Sequence, residues 1–132
     1  MNLVKIALST FLSLSLLATY SCSAFAADEK VSAATRTMAE IMISLNHFPS
    51  DADKDKLKVM ASEATSSADE KTITQALLNL KHKAADADKA KLEAIIKDAA
   101  APASLKSLAS ILLNLNHQPT DADIAELKKI TK

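Results

Sequence analysis

Leu45-Asn46-His47-Phe48-Pro49-Ser50-Asp51-Ala52-Asp53, with Leu57 four residues further on, is the stretch on which the reading of this chain turns. It returns as Leu80-Lys81-His82-Lys83-Ala84-Ala85-Asp86-Ala87-Asp88 with Leu92, and again as Leu115-Asn116-His117-Gln118-Pro119-Thr120-Asp121-Ala122-Asp123 with Leu127. The histidines stand 35 residues apart each time, with no insertion. A fixed period of that length means one supersecondary unit repeated.

Working outward, the period divides the chain into units 31–65, 66–100 and 101–132. Ahead of each histidine the apolar residues fall at i, i+3, i+4 and i+7: Met38, Ile41, Met42, Leu45; then Ile73, Ala76, Leu77, Leu80; then Leu108, Ile111, Leu112, Leu115. That spacing marks one face of a helix, over Ala33 to Asn46 in the first unit. Ile43, Leu78 and Leu113 widen the face, as expected of a helix packed on more than one neighbour. Behind each histidine a second stripe follows: Leu57, Met60, Ala61; Leu92, Ile95, Ile96; Leu127, Ile130. The fold class predicted is all-α: three tandem 35-residue helix-hairpin repeats, about six helices of roughly 12–15 residues, forming a small helical stack or bundle. Met38, Met42 and Met60 belong to its core.

Helix starts are written into the residues. Ser67-Ala68-Asp69-Glu70 reads as a capping box, with Ser32 at the aligned place in unit one and Pro102 in unit three. The second helices begin near Asp51, Asp86 and Asp121, behind Ser50 and Thr120 as caps. Unit two has Ala85 at that place, which predicts a start weaker by about 1 kcal/mol.

Glycine is absent from all 132 residues. That removes Gly-rich phosphate loops, dinucleotide fingerprints and nucleophile elbows. The period is close to that of tetratricopeptide-class repeats, but the Trp, Gly and Tyr positions of that pattern have no counterparts here. Residues 1–26 read as a secretory signal peptide: Lys5, an apolar run from Ile6 to Ala18, then Ala24-Phe25-Ala26. Cleavage there leaves one repeat domain, 27–132, in the periplasm or outside the cell. An uncleaved anchor and a lipoprotein acylated at Cys22 are the alternatives; the latter lacks the usual Leu three positions upstream. The remaining 15 basic and 16 acidic residues nearly cancel, which argues against nucleic acid or an anionic membrane as partner. No cysteine remains after cleavage, and Phe48 is then the only aromatic residue.

Two readings fit the repeated turn. In the first, each residue serves the fold: His at a helix C-terminus, Asn46 and Asn116 as left-handed caps where glycine usually sits, and the Asp pair at the next helix start. The expected function is then a non-enzymatic protein- or peptide-binding or scaffolding module without a cofactor. Its partner and oligomeric state are not specified by these residues. In the second, His47, Asp51, Asp53, His82, Asp86, Asp88, His117, Asp121 and Asp123 supply ligands for a divalent metal such as zinc, nickel or copper. Turns stacked about 10 Å apart make one ion shared between units marginal. Asp51-Ala52-Asp53-Lys54-Asp55 opens like a calcium loop, but Lys56 and Ser62 stand where glycine and glutamate are needed. No Ser–His–acid arrangement supports catalysis.

Overall fold

The structure, a computed structural model, describes residues 30–132. The expected signal peptide over 1–26 and Cys22 lie outside the described residues. Those residues form six helices: α1 (Ala33–Ile43), α2 (Asp51–Ser62), α3 (Ala68–Leu78), α4 (Asp86–Lys97), α5 (Ala103–Asn114) and α6 (Asp121–Ile130). No strand occurs among them, only single-residue bridges flanking each histidine. None of these helices is long and apolar enough to cross a membrane.

The caps follow the residues. Ser32, Ser50, Ser67 and Thr120 each accept from a free N–H of the first turn, with capping boxes at Ser67–Glu70 and Thr120–Asp123. Ala85 makes no such bond, so α4 starts without a side-chain cap, as its sequence predicts. The helices run 10 to 12 residues, shorter than periodicity alone implies. The reason is visible at α1, which ends at Ile43 rather than Asn46. Leu45 is buried, but by an extended turn rather than by the helix, and Leu80 and Leu115 repeat this. A side chain can reach the core from either conformation, so spacing cannot separate them.

The first helices of the three units, α1, α3 and α5, each pack on the other two. Their starts gather at one end: Ser32, Ser67, Pro102, Thr35, Glu70 and Leu105 line one pocket of about 200 Å³. Their other ends lead into the three histidine turns, which bond to one another. These helices are therefore parallel around a pseudo-threefold axis. Around them, α2 packs on α3, α4 on α5, and α6 on α1, while α2, α4 and α6 do not touch. The tightest pairs thus straddle the unit boundaries, and the last closes the chain on itself. The result is a ring of repeats, a small bundle with no two free ends. Met38, Met42, Ile73, Leu77, Leu108 and Leu112 fill the centre, with Leu57, Leu92 and Leu127 fully buried from the outer helices. Each such leucine contributes about 1.5–3 kcal/mol of burial. Met60 is buried as well, so the three methionines belong to the core.

Candidate metal centre

At one end of the axis the three turns meet. The His47 N–H donates to the His117 carbonyl at 3.0 Å, His82 to His47 at 3.3 Å, and His117 to His82 at 2.8 Å. Each histidine thus gives its N–H to one neighbour and its carbonyl to the other, and the circle closes. Backbone groups that would otherwise be orphaned where the inner helices end are satisfied by the symmetry of the repeat.

All three histidines are left-handed, with φ of 71°, 68° and 71°. Sequence reasoning placed the left-handed residue at Asn46 and Asn116; it is the histidine in every unit. For a residue with a Cβ this conformation costs roughly 1–2 kcal/mol. Glycine would remove the steric part of that cost, and the chain contains none. Nor do the imidazoles repay it by burial, since all three are exposed. Among the described residues the imidazoles make no bond to the carbonyls of the preceding helix. The side chains instead turn to one another.

Ring centroids lie 5.5, 5.3 and 5.0 Å apart, all edge-to-face. One nitrogen from each ring lies within 4.8 Å of the others. This overturns the expected separation of about 10 Å, which assumed turns stacked along a line rather than closed around an axis. The Nδ1 atoms of His82 and His117 face each other at 3.2 Å. Two protonated nitrogens would repel at that distance, so at least one lone pair points inward. Tetrahedral zinc, with Zn–N of about 2.0–2.1 Å, needs ligand nitrogens about 3.3–3.4 Å apart. The His82–His117 edge, at 3.2 Å, is close to that length. His47 is held differently: its Nδ1 lies 2.7 Å from Asn46 Oδ1, which can only accept. That bond puts the proton on Nδ1 and leaves Nε2 as the ligand atom, as an outer-shell partner does at metal sites.

The aspartates expected as ligands go elsewhere. Asp53 accepts from the Ser50 hydroxyl at 2.6 Å, and Asp123 from the Thr120 hydroxyl and N–H at 2.7 and 2.9 Å. Asp88 is buried and accepts from Asn79 Nδ2 at 2.9 Å. Asp51 and Asp86 pair with Lys54 and Lys89 on their own helices. The Lys89 ammonium, bonded to Asp86, holds that carboxyl below the usual range. Asp121 is exposed at the start of α6. Among the described residues, the group placed to share an ion is His47, His82 and His117 alone.

Comparison with family models, with curated proteins and with solved structures finds no match to this chain.

Proposed function

We propose that this protein binds one divalent transition-metal ion per chain on His47, His82 and His117, as a metal-binding or buffering protein without catalysis of its own. The observation that supports it is the convergence of three exposed imidazoles, each at a left-handed position that costs a residue with a Cβ. A residue kept in a costly conformation without local return points to a task outside the fold. Three neutral nitrogen donors suit zinc, copper or nickel; calcium and magnesium call for oxygen. A protein- or peptide-binding role draws on less. Phe48 and Val59 are the large apolar side chains left exposed among the described residues. Single exposed apolar residues are common on any surface. A closed ring also lacks the extended face on which that reading rested.

Calorimetry with zinc, nickel and copper tests the proposal. One ion per chain is expected. Each of His47→Ala, His82→Ala and His117→Ala is expected to weaken binding by at least the roughly 10–100-fold that outer-shell changes cost, with helix content unchanged. Binding that survives all three substitutions together, or no binding at all, would overturn it.

A further inference from the structure

The three turns are not equivalent outside their histidines, and the differences collect in unit two. Where units one and three have Asn46 and Asn116, it has Lys81; where they have Phe48 and Gln118, it has Lys83. It also lacks the proline and the capping hydroxyl of its siblings, having Ala84 and Ala85 in place of Pro49 and Ser50. Nothing in the local fold gains from these changes: α4 goes uncapped. Lys81 and Lys83 are exposed, and neither ammonium makes an ion pair or hydrogen bond among the described residues.

Both lysines line an open groove of about 1010 Å³ that runs from His82 between the turns of units one and two. Lys54, Lys89 and Phe48 complete its functional lining, with Asp86 as its single carboxylate. Phe48 is 52% exposed, and the Lys54 ammonium stands 5.3 Å from its ring centre. Lys54 is paired with Asp51 and Lys89 with Asp86, so the local positive field comes from the two unpaired lysines, Lys81 and Lys83. The volume suits a small molecule.

We infer that this groove holds a small organic carboxylate which completes the coordination of the ion on the histidine ring. The inference rests on the metal reading. Three protein ligands leave a zinc-type ion with an open position, ordinarily taken by water. One carboxylate oxygen displaces that water, Lys81 and Lys83 neutralise the remaining charge, and the organic body lies against Phe48. No covalent bond of the ligand is made or broken.

Cobalt(II) reports the exchange, because its visible absorption changes when a coordinated water is replaced. The full chain loaded with cobalt is titrated with sodium benzoate and, separately, with sodium acetate. A spectral change is expected with both, at lower concentration for benzoate. The double variant Lys81→Gln/Lys83→Gln should load cobalt as before and bind benzoate roughly 10-fold more weakly. Lys128→Gln/Lys129→Gln, on α6, should match the unchanged chain. Cobalt that loads without responding to benzoate, or responds equally in the Lys81/Lys83 variant, overturns the inference and leaves the metal reading standing. Equal affinity for acetate and benzoate overturns the part assigned to Phe48. Failure to load cobalt overturns both.

Discussion

The two ends of the pseudo-threefold axis obey opposite rules. At the histidine end the repeat places the same residue three times, exposed, in the same strained conformation. At the other end the aligned positions are Thr35, Glu70 and Leu105, three different residues, all buried. Glu70 accepts there from the Ser32 hydroxyl, from the Thr35 hydroxyl at 3.0 Å and from the Ser67 N–H at 2.7 Å. Burial by itself pushes its carboxyl pKa up; the bonds from Ser32, Ser67 and Thr35 together outweigh that and hold it below the ordinary value. Three carboxylates could not share this end, for like charges in a buried site cannot all ionise. One acid, one hydroxyl and one leucine satisfy it. A threefold arrangement survives where solvent or a cation can absorb it and is broken where it would have to be buried.

The comparison breaks first at the buried end. Glu70→Ala should cost about 3 kcal/mol, since it leaves buried donors without an acceptor and opens a small cavity. Chemical denaturation measures this directly, and a loss below about 1 kcal/mol would mean the network contributes little. The same group sets an acid limit. Its folded pKa lies below the ordinary value of 4.5, so its contribution is complete above that pH and is lost as pH falls through the folded value. A stability profile from pH 7 downward should fall more steeply for the unchanged chain than for Glu70→Gln.

The exposed end should respond in the opposite sense. Replacing His47, His82 and His117 by glycine relieves three left-handed strains, partly offset by glycine's greater freedom in the unfolded chain. The metal-free triple variant should be as stable as the unchanged chain or more so, by up to about 1 kcal/mol per site. A clear loss of stability would show that the imidazoles serve the fold after all.

Much of this fold was legible in the residues. The stripes located six helices, and Ser50, Ser67 and Thr120 marked starts that the structure keeps. Closure was not read, because pitch along a chain carries no curvature. A signal for it existed: α1 and α6 are as apolar on their inner faces as the helices between them. An open stack needs end units with a polar outer face, and this chain has none among its described units. Without closure the histidines stayed apart on paper, and the aspartates looked like necessary co-ligands. Misplacing the left-handed residue had a simpler cause. After glycine, asparagine visits that conformation most readily because its short side chain bonds locally, so local preference pointed one position too early. The position where local preference fails is the one at which the three imidazoles converge, and departures of that kind are expected at functional sites.

X-ray absorption at the zinc edge of the loaded chain reaches the centre of this account. Three imidazole nitrogens at about 2.0–2.1 Å, with one oxygen neighbour, are expected. A shell dominated by carboxylate oxygens, or one fitted by a single imidazole, would contradict it.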